Sequence, residues 1–174
     1  FQVWQGGLSF HGGLSGVIIA AVVFTKFRAI PFWQFSDAIA CSAPIGLLLV
    51  RVANFINGEL YGRVTNMPWG MIFPSGGSEP RHPSQLYEAF LEGVVLFVVL
   101  YVLSRNEKIC KKAGLLTGIF MVGYAVARGA VELVRQPDPH LGILTGGLTM
   151  GQWLSIPVFL FGLYLILRPN KRAM

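Results

Sequence analysis

The sequence predicts an all-α, polytopic transmembrane helical bundle, and three observations carry that reading. Of the 174 residues, 53% are hydrophobic and only 13% are charged, about half the ~25% charged share of a soluble domain. The apolar residues are bunched into five runs, 9–27, 32–54, 86–103, 114–134 and 151–167, each near the ~20 residues a helix needs to cross hydrocarbon. Within the runs "GVIIAAVVF" and "EGVVLFVVLYVL" there is no polar face at the helical period, which a soluble surface helix would show.

The first run, in "SFHGGLSGVIIAAVVF", is on the short side and follows a start at Phe1 rather than Met. No basic stretch, apolar segment and small-residue cleavage site precede it, so further N-terminal spans are expected and residues 1–174 are expected to be one partial transmembrane domain. A basic joint, "TKFRAI", leads to the second run, which ends in "VRVANFINGELYGR". Segment 55–85, rich in Gly, Pro, Asn and Ser, is expected to be a loop lying at the membrane surface. Pro83 suits the first helical position of the third run, where its missing N–H costs nothing. The joint "RNEKICKK" is basic again, the fourth run ends in "GYAVARGAVELVRQPD", and the fifth begins "MGQWLSIP".

Charge sets the orientation. Lys26, Arg28, Arg105, Lys108, Lys111, Lys112, Arg168, Lys171 and Arg172 fall on one side against Glu107 alone, and they alternate with the runs as five spans require. Basic loops stay cytoplasmic, so the chain's start, segment 55–85 and segment 135–150 should face outward. The net charge of +6 then reflects anchoring, and no nucleic-acid partner is expected. Trp69 and Trp153 fit an outer aromatic belt and Trp33 an inner one. Cys41 and Cys110 have no metal-ligand spacing, lie too far apart in this topology to pair, and read as bystanders.

The polar residues inside these runs are the chemical signal. Tyr124, Arg128 and Glu132 recur every four residues on the fourth run, with Arg135 one turn further, and so share one stripe. Arg51 and Asn54 lie one turn apart at the outer end of the second, and Asn57 and Glu59 follow. Glu88 and Glu92 share a face of the third. His11 stands at the outer mouth of the first, between Phe10 and two glycines. A charge at the bilayer centre costs roughly 2.5–3.5 kcal/mol on insertion scales, whereas an interhelical polar contact returns about 0.6 kcal/mol on average. Mutual neutralisation as a structural network is one reading of this group. The functional reading is a polar cavity in the outer leaflet, where Arg51 and Arg128 present rigid forks suited to phosphate oxygens. The ligand found at that depth is a phospholipid headgroup. His11, with an ordinary pKa near 6.5, can take a proton at neutral pH; His82 and His140 read as loop residues.

The sequence holds no nucleophile elbow, no HExxH, no paired intramembrane aspartates and no Gly-rich phosphate loop beside a strand. An enzyme with this inventory would use neither a covalent nucleophile of its own nor a metal, and no cofactor is implied. Transport or lipid binding without chemistry is the competing class. Against it, neither internal repeats nor paired helix interruptions are visible.

Five segments, "VWQGGLSFHGGLSGV", "RVANFINGELYGR", "RHPSQLYEAFLEGVVLF", "GYAVARGAVELVRQPD" and "MGQWLSIP", occur in that order over nearly the whole chain. Together they resemble the prolipoprotein diacylglyceryl transferase family. The resemblance implies a bacterial inner-membrane enzyme that moves the diacylglyceryl group of phosphatidylglycerol onto the lipobox cysteine thiol of a prolipoprotein signal peptide. The product is a thioether, and glycerol phosphate is released. It further implies functional roles for His11, Arg51, Asn54, Glu59, Tyr124, Arg128 and Glu132. Arg51 and Arg128 would clamp the lipid phosphate with Asn54, Asn57 and Arg135 alongside, Glu59 and Glu132 would orient the two arginines, and His11 would take the thiol proton.

Overall fold

A computed structural model describes residues 10–136 and 149–169, the side chains of Phe10 and His11 excepted. The described residues form helices α1 (Phe10–Phe27), α2 (Phe32–Ile56), α3 (Ser84–Ser104), the single turn α4 (Glu107–Cys110), α5 (Leu115–Val131) and α6 (Met150–Leu167). Five of them coincide with the five apolar runs. Three, α2, α3 and α6, are long and apolar enough to cross a membrane, while α5 has 17 residues and α1 is likewise a shorter apolar helix.

Burial is inverted relative to a water-soluble bundle. Ile19 and Leu49 are each 63% exposed, whereas the side chains of Glu88, Glu92 and Gln85 have no exposed surface. Apolar area spread this widely over a bundle marks a lipid-facing surface rather than a hydrated one. The chain is a helical membrane protein.

Helix ends follow local chemistry. Pro31 closes the joint before α2 in extended conformation. Gly58, at φ +67°, turns the chain out of α2 while Glu59 N–H donates to Asn54 O at 2.9 Å. Pro83 precedes Ser84 as the cap of α3, one position earlier than the sequence suggested, because its ψ of 66° is not helical. Asn106 caps α4 through Lys108 N–H at 3.0 Å. Thr149 and Gln152 form a reciprocal capping box at the start of α6. The start of α5 is capped from another helix: Asp37 of α2 accepts from Gly114 N–H at 2.6 Å and from Thr117 N–H and hydroxyl at 2.7 Å each.

Close backbone approach holds the helices together. A Cβ on Gly118 would lie 2.8 Å from the carbonyl of Gly162, and one on Gly162 would lie 2.9 Å from that of Gly118. The α5–α6 contact therefore depends on two small residues, as membrane helix pairs commonly do. Leu96, Leu100 and Leu116 make the apolar core between α3 and α5. Gly93 lets α3 lie against Leu48 of α2, whose Cβ would be 2.7 Å from an added methyl. Among the described residues α1 packs on α2 alone.

Segment 57–83 is irregular, as expected, but it is pinned down. Its main chain bonds across to 80–82 and to 134–135: Gly62 N–H donates to His82 O at 2.8 Å, and Arg63 N–H to Val134 O at 2.8 Å. Tyr61 stacks on buried Phe73, ring centroids 5.4 Å apart. At the opposite end Arg168 lies 4.6 Å over the ring of Trp33, and Lys112 Nζ donates to Ile166 O at 2.6 Å. Cys41 and Cys110 line one cavity of about 340 Å³, and both thiols are free, as expected.

Candidate active site

At the end of the bundle where α2 and α5 finish and α3 and α6 begin, six charged side chains meet. Glu88 is the hub. Its Oε2 lies 3.2 Å from Arg51 Nη1 of α2, and its Oε1 accepts from Arg135 Nη1 at 2.9 Å and from Arg128 Nη1 of α5. Glu92, one turn further, accepts from Arg51 through Oε2 at 3.3 and 3.4 Å. Glu132 pairs with Arg128 Nη2 at 3.1 Å. Three guanidiniums are thus set against three carboxylates.

The local backbone explains why both glutamates reach the arginines. α3 contains a π-helical stretch, Ala89–Val95. Four-residue steps drift by about 40° each on an α-helix, and an i→i+5 turn holds back that drift. Glu88, Glu92, Leu96 and Leu100 accordingly keep one buried face, polar at the arginine end and apolar deeper. On the α5 side, Gly151 of α6 makes room. A Cβ there would stand 2.9 Å from Glu132 Oε2 and 3.1 Å from Arg128 Nη2.

The two signs are not equally accessible. The side chains of Arg51 and Arg128 retain 13% and 14% exposure, against 0% for Glu88 and Glu92. The carboxylates form the floor and the guanidiniums the rim. Such a site presents oriented N–H forks toward an anion while the buried acids fix their direction.

The structure brings together Arg51, Arg128, Glu132 and Arg135. Asn54 lies half-buried on the next turn of α2, and Tyr124 lies half-buried one turn below Arg128, stacked on Phe120. Asn57 and Glu59 are not part of the cluster. Both are exposed, Asn57 as the C-cap of α2. Glu59 contributes its main-chain carbonyl, which accepts from Gln85 Nε2. Gly58 turns the chain at the end of α2, and the carboxylates that meet Arg51 among the described residues are those of Glu88 and Glu92. The sequence places these two on one face of the third run but does not mark them as site residues. The available signal was an acid placed within an apolar span, which by default marks function. His11 lies in the first turn of α1, but its side chain lies outside the described residues, as does all of His140. His82 stays in the loop, its Nδ1 3.2 Å from Tyr87 OH. Among the described residues no group of three or more His, Cys, Asp and Glu side chains could hold a metal.

Comparison with known proteins follows the same segments. A family model described as prolipoprotein diacylglyceryl transferase matches residues 1–168. A phosphatidylglycerol–prolipoprotein diacylglyceryl transferase of Paramagnetospirillum magneticum is 58% identical over 173 residues, 99% of this chain and 64% of the relative. One from Shewanella oneidensis is 56% identical, over 99% of this chain and 63% of the relative. One from Allorhizobium ampelinum is 53% identical, over 98% and 60%. The chain thus spans less than two thirds of the length of these relatives.

Proposed function

The chain belongs to the prolipoprotein diacylglyceryl transferase family, and from that premise we propose that it carries the lipid-binding and catalytic part of a phosphatidylglycerol–prolipoprotein diacylglyceryl transferase. The observation that carries this reading is the rim of Arg51 and Arg128 over a floor of wholly buried Glu88 and Glu92. The protein sits in the bacterial cytoplasmic membrane with this site toward the outer leaflet, where an anionic lipid phosphate and a lipobox cysteine can both arrive.

The chemistry is displacement at the glyceryl carbon. The cysteine sulfur forms the new C–S bond, the bond from that carbon to the phosphate oxygen breaks, and glycerol phosphate leaves with the electron pair. Negative charge grows on the departing phosphate, and preoriented donors aimed at such charge are worth about 3–4 kcal/mol each in comparable sites. Arg51 and Arg128 supply those donors, already fixed by Glu88, Glu92 and Glu132. The attacking thiol, ordinarily near pKa 8.5, must lose its proton, and His11 is the proposed acceptor.

The decisive test is transfer of labelled diacylglycerol from phosphatidylglycerol to a lipobox peptide by the protein in proteoliposomes. Arg51→Gln and Arg128→Gln should each abolish it in correctly inserted protein, and near wild-type turnover by either would overturn the clamp. Lipid movement without release of glycerol phosphate would replace transfer by transport. For His11→Asn the rate should fall and lose its dependence on pH near 6–7; an unchanged profile would assign proton removal to another group.

A further inference from the structure

Joined to the buried cluster through Arg135 are two more arginines that pair with no carboxylate among the described residues. Arg63 is exposed and Arg81 half-buried, both in the segment between α2 and α3. Arg63 Nε donates to the main-chain carbonyl of Arg135 at 3.1 Å. Arg81 donates through Nε to Gly76 O at 2.9 Å and through Nη1 to Gln136 Oε1 at 2.8 Å, with its guanidinium 5.0 Å over the ring of Tyr61. All of these partners are neutral. Among the described residues neither guanidinium pairs with a carboxylate, although exposed Glu59 and Glu79 belong to the same segment.

Position strengthens the contrast with the cluster. Arg51, Arg128 and Arg135 are matched by Glu88, Glu92 and Glu132, whereas among the described residues Arg63 and Arg81 are in no ion pair. Arg135 links the two groups: its Nη1 reaches Glu88 at 2.9 Å while its carbonyl holds Arg63. The link is tight. A Cβ on Gly62, next to Arg63, would lie 2.6 Å from Val134 O and 2.9 Å from His82 O, so the three segments meet here at close backbone approach. Most of the N–H groups of Arg63, and Nη2 of Arg81, remain without a partner among the described residues.

We propose that Arg63 and Arg81, which meet the chain at Arg135 and Gln136, form an outer phosphate site joined to the Arg51–Arg128 cluster through Arg135. A phosphate monoester carries about −1.5 to −2 charge at neutral pH. It would leave a cluster whose guanidiniums are already paired for two that are not paired among the described residues, since fixed cations raise the local concentration of such anions. What supplies the phosphate rests on the transferase reading: either the released glycerol phosphate or the headgroup of arriving phosphatidylglycerol.

Two arms test the site and separate its sources. In the first, glycerol phosphate is titrated by calorimetry into the protein in phosphatidylcholine nanodiscs. In the second, KM for phosphatidylglycerol is measured. The double variant Arg63→Gln, Arg81→Gln should lower glycerol phosphate affinity at least tenfold at low salt, with the difference shrinking as salt rises. Arg63→Gln alone, which gives up one main-chain bond, should fold normally and lose about threefold, half of that tenfold in free energy. Lost soluble-ligand affinity with unchanged KM identifies the released product as occupant. Raised KM with unchanged soluble affinity identifies the lipid headgroup. Neither arm moving in folded variants overturns the site. The binding arm needs no turnover, so glycerol phosphate binding without lipid transfer would refute the transferase reading alone.

Discussion

Glu88 lies between three guanidiniums with no exposed surface, so its charge matters more than its volume. Removing one partner of a buried ion pair typically costs 3–5 kcal/mol because the other is left uncompensated. Glu88→Gln keeps the shape but removes the carboxylate that Arg51, Arg128 and Arg135 share, leaving Arg51 to Glu92, Arg128 to Glu132 and Arg135 with no carboxylate among the described residues. It should lower transfer at least 100-fold and lower the unfolding temperature in micelles, whereas Glu59→Gln, on an exposed carboxylate outside the cluster, should leave stability unchanged. Gly151 offers the opposite kind of change, an added methyl. Gly151→Ala places carbon within 3.1 Å of the Arg128–Glu132 pair and should raise KM for phosphatidylglycerol several-fold while the helices stay folded. A KM unaffected by that methyl would mean that Arg128 does not meet the lipid.

Elements act by carrying these residues to one place. The π-helical turn in α3 aligns its two acids, and Gly93 within it allows α2 close enough for Arg51 to reach both. Gly93→Leu should push α2 away from α3 and cost roughly 1–3 kcal/mol, as overpacking does, with activity lost in step because Arg51 moves with α2. Asp37 works at the other end, closing the first turn of α5 from across the α2–α5 contact. Asp37→Asn should cost about 1 kcal/mol, the usual worth of a cap, read as lower thermal stability with an unaltered KM. A shifted KM would mean that α5 transmits the change along its length to Arg128.

For the whole molecule the governing asymmetry is between its two ends. One is held by the arginine–glutamate cluster, the other by Lys112, Arg168, Trp33 and the Asp37 cap. The proposed orientation puts the cluster outward. A cysteine introduced at exposed Glu79, in a background with Cys41 and Cys110 replaced by serine, should be labelled by an impermeant maleimide in spheroplasts, while native Cys110 should be labelled only after permeabilisation. Labelling in the reverse pattern would invert the topology and with it the access of lipid and peptide to the site.

Much of this was legible along the chain. Five helices followed from apolar runs, because backbone hydrogen bonds in hydrocarbon leave few alternatives to a helix. The pairing of Arg128 with Glu132 followed from helical spacing alone, being local in sequence, whereas Arg135 lies past the end of α5, in a turn bridged to Gly62. What the sequence could not say was which acids meet which arginines, since that depends on contacts made 40 or more residues apart: Glu88 with Arg128, Glu92 with Arg51. The π turn, the exposed position of Glu59, the shared cavity of the two cysteines and the remote cap by Asp37 belong to the same class. Local pattern decides that a segment is helical and which residues share its face; only packing decides what that face meets, because partner choice is set by the close approach of other backbones at Gly93, Gly118, Gly151 and Gly162.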